Sequence, residues 1–447
     1  MAKQPTSELA LATQPKPHLG YRFYGQHYAI VVDWKRKNTH LLTGVVAEVW
    51  QSITARLAPL GDINAQAVAK LAKLGLLNLP ASGTPSPPDL PNTVPSAGQS
   101  LISRWAAANL IPINGSFELT GTCNLRCVHC YSVHQRVHNL TTSQILTIAD
   151  RLREAGCVSL TLTGGELFMR RDWQTIFQHL SDNNFTFRVN TNGTYITEDV
   201  ARTLMDYPQL SHVHVSVYSD DPAIHDRITL GRGSWAKSIA ALEYLTTYTD
   251  KNVRINCTVM RENYPSYRQV KTAIGDPMGI PVRYDARLVA MDDGDTTNLV
   301  HRIDDADLRD HYRWMLDQGL VTLERLISPK QTQPDQVGLC SAGFSYFSVA
   351  YDGTLYPCFQ LRQPLGSLLD NDFHELWQND PFLRQLRTAT PATLHDCVGC
   401  KLKPYCNLCI GMSHLEEGDV FGRSTECCRD AQVRSGVAGP HDSGGNS

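Results

Sequence analysis

Apolar residues recur along this chain with two different periods, and the switches between them mark out its elements. Near the N-terminus, YRFYG and HYAIVV are rich in aromatic and β-branched residues and read as strands, with THLLT as a third. Helical spacing follows. Val46, Val49, Trp50 and Ile53 share one face of a helix from Val45 to about Leu57, and a second helix from about Asn64 to Leu74 is closed by Gly75. Three short strands followed by helices predict a small winged-helix-like domain over 18–80.

Residues 81–104 lose all apolar periodicity. Proline, serine and glycine dominate ASGTPSPPDLPNTVPSAGQS, so the stretch reads as a linker. From 105 to 335 strand and helix patterns alternate. Ile145, Ile148, Ala149 and Leu152 mark a helix that Gly156 closes; Val158, Leu160 and Leu162 then alternate as in a strand. FRVNTNG, HVHVSVYS, VRINCTVM and VRYDARLV repeat the theme, which predicts an α/β fold of parallel strands joined by helical crossovers. In a parallel barrel the chemistry gathers at the strand C-termini. Those ends carry Gly164-Gly165-Glu166, Asn190 to Gly193, Ser216 and Ser219. Residues 336–432 form a cysteine-rich segment, and 433–447 read as a disordered tail.

Composition narrows the function. The 447 residues are 42% hydrophobic and 19% charged with a formal net charge of −3, which gives no general electrostatic reason for a nucleic-acid or membrane partner. The first residues lack the apolar run of a signal peptide, and no stretch reaches the length of a membrane span, so a cytoplasmic location is expected. In that reducing compartment, 13 cysteines point to metal ligation or redox chemistry rather than disulfides.

GTCNLRCVHCYS places Cys123, Cys127 and Cys130 with gaps of three and two residues. A cubane iron–sulfur cluster is closed by four thiolates, so three leave one iron open to an exogenous ligand. Structural zinc or chance spacing are the plainer alternatives. The C-x3-C-x2-C spacing resembles that of radical S-adenosylmethionine (SAM) enzymes. The resemblance implies a partial (β/α)6 TIM-like barrel and a [4Fe–4S] cluster whose open iron is chelated by SAM. It also implies one-electron cleavage of SAM to a 5′-deoxyadenosyl radical. Gly164-Gly165-Glu166 is similar to the family's motif for the SAM amino group, although Leu167 stands where proline usually follows. His129 fills a usually aromatic place, which implies a contact near the adenine. HVSVYSDDPAIHDRITLGRGSW resembles the fourth-strand segment of the family. That match implies Ser216 and Arg227 at the SAM carboxylate or ribose, with Asn192 nearby. A partly buried Arg227 guanidinium would suit carboxylate recognition; the alternative is a surface pair with Asp226.

The C-terminal pattern is Cys340, Gly353-x4-Cys358, Cys397-x2-Cys400-x5-Cys406-x2-Cys409 and Cys427-Cys428. Two C-x2-C pairs alone could be a zinc ribbon. The whole set resembles a SPASM domain, which implies two auxiliary [4Fe–4S] clusters and three clusters in all. Two residues separate Cys406 from Cys409, where that family commonly has three. By resemblance, Cys340, Cys358 and Cys409 hold the inner cluster, while Cys397, Cys400, Cys406 and Cys427 hold the outer one, with Cys428 able to substitute. The inner cluster then either keeps an open iron or is closed by Cys428, another side chain or water. Cys157 and Cys257 read as buried inert thiols.

The 18–80 domain resembles the RiPP recognition element of peptide maturases, which binds a leader peptide as an added strand. Its helices carry no basic stripe, unlike a DNA-binding winged helix. Together the resemblances imply a maturase that abstracts hydrogen from a ribosomally made precursor peptide, with a thioether or carbon–carbon crosslink as product. A flavodoxin or ferredoxin would be the reducing partner. Peptide epimerisation, sulfatase-type maturation and an iron–sulfur DNA-binding sensor are the alternatives.

Overall fold

The computed structural model describes residues 15–16, 18–55, 65–77, 96–133, 139–249, 252–327 and 339–438. β1 (Leu19–Tyr24), β2 (Tyr28–Asp33) and β3 (Asn38–Thr43) form an antiparallel sheet in that order. Helices Val45–Ala55 and Ala65–Lys73 follow it, and the three strands agree with the sequence expectation. The run YAIVVD is apolar on both faces for a reason. Ala29 and Val31 join Trp50, Ile53 and Leu71 in the domain's own core. Ile30 and Val32 point the other way, onto Ile102, Ala106, Ile113 and Val158. One strand therefore glues the domain to its neighbour.

Helix Ser96–Ala108 lies partly within the expected 81–104 linker, whose preceding residues are outside the described set. Its buried Ile102 and Ala106 pack on β2, so tertiary contact overrides a Ser- and Gly-rich start. The expected tail is likewise helical at its start, since Thr425–Ala438 is one helix; 439–447 lie outside the described residues.

The main sheet has nine strands in the order β12-β11-β10-β4-β5-β6-β7-β8-β9. β4 (Asn114–Thr120), β5 (Ser159–Gly164), β6 (Thr186–Thr191), β7 (Leu210–Ser216), β8 (Asn252–Thr258) and β9 (Val282–Asp285) run parallel in chain order. Their outer-face residues, such as Leu160, Val189, Val213 and Ile255, pack under the crossover helices in one apolar core. Cys157 and Cys257 are buried in that core, as expected. β10 (Tyr346–Val349) adds parallel to β4, then β11 (Thr354–Tyr356) and β12 (Gly366–Ser367) continue antiparallel. The cysteine-rich segment is thus built onto the edge strand of the barrel. No helix among the described residues is long and apolar enough to cross a membrane.

Candidate functional site

The loop after β4 carries Cys123, Cys127 and Cys130, all free thiols. Two backbone segments clamp it. On one side, Gly165 N–H donates to Thr120 O at 2.8 Å and Glu166 N–H to Thr122 O at 2.9 Å. A Cβ on Gly164 would stand 2.3 Å from Thr120 O, and one on Gly165 2.1 Å from Thr122 O. Only glycine allows that approach. On the other side, Arg126 N–H donates to Thr229 O and Val128 N–H to Ile228 O, while Leu125 closes over Gly231.

Glu166 is fully buried and ties β5 to β6. Its carboxylate accepts from the Thr191 hydroxyl at 2.8 Å, the Asn192 N–H at 2.7 Å and the Phe168 N–H at 3.1 Å. Burial pushes its carboxyl upward, and these donors oppose the shift. Asn192 next reaches the cysteine loop, where its Nδ2 donates to Asn124 Oδ1 at 3.0 Å and lies 3.9 Å from Cys123 Sγ. Burial raises all three thiols, Cys130 to about 11; neighbouring thiols add to the effect at Cys127 and Cys130, and the Glu166 carboxylate adds to it at Cys123. A bound cation reverses such a shift and favours the thiolates.

Tyr218, buried just past β7, organises the far wall. It is hydrogen-bonded to the Cys127 thiol and to Ser216. The His129 ring meets it edge-on at 4.8 Å, and the His225 ring stacks on it at 5.4 Å. The expected residues Glu166, Asn192, Ser216 and His129 therefore surround one loop. Arg227 differs from expectation: it is exposed on helix Pro222–Thr229, not partly buried, and it does not pair with Asp226. Asp226 instead accepts from Ser234 Oγ and Trp235 N–H, at 3.0 and 2.9 Å.

Between this loop and the cysteine-rich domain lies a buried ionic group. Arg362 pairs with Glu118 of β4 and sits 3.9 Å from Asp292, whose N–H donates to Tyr131 O at 2.7 Å. Tyr131 in turn faces Phe359, beside Cys358. Glu118 is raised by burial and held down by Arg362. No sequence pattern flagged this group, because its members come from separate elements.

Four of the late cysteines share a cavity. Cys397, Cys400, Cys406 and Cys428 line one cavity with Leu402, Lys403, Leu408 and Ala431. Cys427 is fully buried, beside the Cys409 backbone and also close to Cys406. Cys428 lines this cavity with the three expected outer thiols, and Cys427 does not.

Among the described residues no three His, Cys, Asp or Glu side chains converge closely enough for a single ion. A cubane binds each thiolate through a separate iron and takes a wider set. The free-thiol loop, the glycine-lined approach beside it and the buried Glu166 fit the cluster and SAM that the sequence implies.

Comparison with known proteins agrees. Residues 117–270 match the radical SAM superfamily, and residues 340–409 match the SPASM iron–sulfur cluster-binding domain. The antilisterial bacteriocin subtilosin biosynthesis protein AlbA of Bacillus subtilis is 24% identical over 307 residues, which are 67% of each chain. An AdoMet-dependent heme synthase of Methanosarcina barkeri is 24% identical over 336 residues, 70% of this chain and 95% of that one. The fold is similar to that of Streptococcus suis SuiB bound to its precursor peptide SuiA, with a TM-score of 0.65 at 16% identity, over 93% of this chain and 99% of that one.

Proposed function

Because the chain is a radical SAM enzyme with a SPASM domain, we propose that it modifies a ribosomally made precursor peptide, forming a thioether or carbon–carbon crosslink. The observation that carries this reading is the 18–77 domain. It has a core of its own and an edge strand, β3, that pairs only with β2 among the described residues, and it is packed onto the barrel. Such an edge suits a leader peptide added as a further strand. The likeness to a bacteriocin biosynthesis protein supports the same substrate class.

In this proposal Cys123, Cys127 and Cys130 hold the SAM-binding cluster, which with SAM supplies a hydrogen-abstracting 5′-deoxyadenosyl radical. Glu166 and Asn192 hold the cofactor's amino end, and His129 and Ser216 border it. Arg227 has no assigned role at its exposed position. Cys397, Cys400, Cys406 and Cys428 hold the outer auxiliary cluster. Cys340, Cys358, Cys409 and Cys427 hold the inner one, which then has four protein ligands and no iron left for a substrate thiolate. The Arg362–Glu118–Asp292 group fixes the auxiliary domain against the barrel wall and keeps water out between the two. An external flavodoxin or ferredoxin would deliver the electron.

The test is mass spectrometry of a small peptide encoded beside this gene, co-expressed with the enzyme. Loss of two hydrogens supports crosslinking. An unchanged mass with a changed stereocentre supports epimerisation, and a peptide unmodified in every respect overturns the reading.

A further inference from the structure

We propose that the lower half of the barrel lumen, together with the β2–β3 turn that abuts it, is a basic corridor that binds an acidic segment of the peptide substrate. The inference rests on the peptide reading above and adds to it the charge of the bound segment.

The strand registers place the corridor. Arg188 of β6 pairs with His212 of β7, His214 pairs with Arg254 of β8, and Asn256 pairs with Arg283 of β9. Paired residues in a parallel sheet point to the same side. Their sequence neighbours Val189, Val213, Val215, Ile255 and Tyr284 are buried under the helices, so these six face the lumen. All three arginines are exposed there. Among the described residues Arg188 and Arg254 form no ion pair, and Arg283 has only Asp285, at 3.9 Å. Glu118, a further carboxylate on the lumen side of β4, is already bound to Arg362. An unbalanced cluster of guanidinium groups on a concave wall, in a chain whose net charge is −3, attracts carboxylates rather than repelling them.

Polar atoms without partners point into the same wall. Asn190 Oδ1, His214 Nε2 and Asn256 Oδ1 are buried and make no hydrogen bond. They lie on three neighbouring strands among the arginines, His214 paired with Arg254 and Asn256 with Arg283, and His214 is only 7% exposed. Buried polar groups ordinarily find partners, and a peptide backbone offers both donors and acceptors for these. His212 and His214 are held neutral, down to about 4, by burial and by the arginines around them.

The corridor continues onto the N-terminal domain. The turn after β2 reads Trp34-Lys35-Arg36-Lys37, with its three cationic residues exposed. Lys37 donates to Asn252 Oδ1 at 3.3 Å at the foot of β8, and Trp34 Nε1 donates to Thr186 Oγ1 at 3.1 Å at the foot of β6. The domain that would hold the leader is thus docked where the arginines begin. Arg188 lies four residues below Asn192, about 13 Å from the strand tops, so a segment in the corridor would lead toward the cysteine loop.

Binding is read by fluorescence anisotropy with the reconstituted full-length enzyme and two labelled peptides, one of alternating Glu and Gly, the other with Gln in place of Glu. The Glu peptide should bind roughly tenfold tighter, and this advantage should fade between about 50 mM and about 300 mM salt. Arg188→Gln/Arg254→Gln/Arg283→Gln should remove it. Since a lumen variant can misfold, the surface variant Lys35→Gln/Lys37→Gln gives a second reading and should weaken Glu-peptide binding by a smaller factor. Equal affinity for both peptides, or a Glu preference untouched by both variants, overturns the corridor. Tighter displacement of the peptide by an oligonucleotide than by unlabelled Glu peptide overturns it in favour of a nucleic acid. A co-expressed precursor that is modified while the corridor test fails leaves the peptide reading standing. An unmodified precursor with a positive corridor test overturns the maturase reading alone.

Discussion

The backbone N–H of Asn192 donates to the Glu166 carboxylate at 2.7 Å, while the Asn192 side chain lies 3.9 Å from Cys123 Sγ. One residue therefore couples the end of β5, the end of β6 and the first cysteine of the loop. The coupling is possible because Gly164 and Gly165 let β5 finish against the backbone of Thr120 and Thr122. The position of the cysteines is set by backbone contact more than by side-chain packing.

A methyl group should therefore be enough to disturb the site. In Gly165→Ala the new Cβ would meet Thr122 O at 2.1 Å and Cys123 N at 2.9 Å, both backbone atoms that cannot rotate away. The expected loss is about 2–4 kcal/mol of stability and nearly all reductive cleavage of SAM. Thermal denaturation and 5′-deoxyadenosine release measure the two effects. An alanine variant that cleaves SAM normally would refute the close-approach argument.

Polar contacts from β1 add to the apolar β2 face in docking the N-terminal domain. Tyr24 OH donates to Gly156 O at 2.7 Å, and Arg22 donates to Cys157 O and Asn183 O at 3.1 and 3.2 Å. Tyr24→Phe should cost about 1 kcal/mol, and Arg22→Ala about 2–3 kcal/mol because its charge-assisted bonds leave two carbonyls without a donor. Chemical denaturation checks both. If neither variant shifts the midpoint, the domain is held by its apolar face alone.

Much of this organisation could be read before any coordinates. Strand and helix periods located β1 to β3 and β5 to β9, and the cysteine spacing marked the loop that follows β4. The missed features have a common cause. Tyr218 sits in the segment SVYS, which looks like ordinary strand sequence, and it matters only because folding brings Cys127, His129 and His225 around it. Arg362 and Glu118 are 244 residues apart in sequence. Arg227 differs from expectation in burial alone: its place on helix Pro222–Thr229 turns it to solvent. Sequence pattern reports which face of an element is apolar; it does not report which polar residues meet across elements.

His225 should make stability depend on pH. Burial lowers it from 6.5 to about 4. Its Nδ1 accepts the Tyr218 N–H at 3.2 Å, and its Nε2 is buried without a partner, so the folded state keeps the ring neutral. Between those values the unfolded chain binds a proton that the folded chain does not. Stability is therefore full above the ordinary histidine range and falls as pH drops toward the lowered value. Anaerobic melts at about pH 7.5 and about pH 6 should show this decline, and His225→Gln should make it shallower. An identical decline in the variant would assign the effect to other histidines.

The adjacent Cys427 and Cys428 offer the sharpest test of how the auxiliary thiols divide. Cys428 lines the cavity of Cys397, Cys400 and Cys406, whereas Cys427 is buried against Cys409. If each serves a different cluster, the two alanine variants will lose different iron. The measurement is best made with Cys123, Cys127 and Cys130 already replaced by alanine, so that only auxiliary iron remains. Cys428→Ala should then perturb one spectroscopic component and Cys427→Ala the other, with neither variant reproducing the other's spectrum. Each loss should also lower the melting temperature, because the ligands tie distant loops together and metal binding contributes directly to folding. Were the two variants to lose the same component, both cysteines would belong to one cluster and the inner one would regain an iron open to a substrate thiolate. That outcome would return thioether formation through direct ligation to consideration. The burial of Cys427 beside Cys409 favours the closed set proposed above, in which the inner cluster carries electrons without binding the peptide.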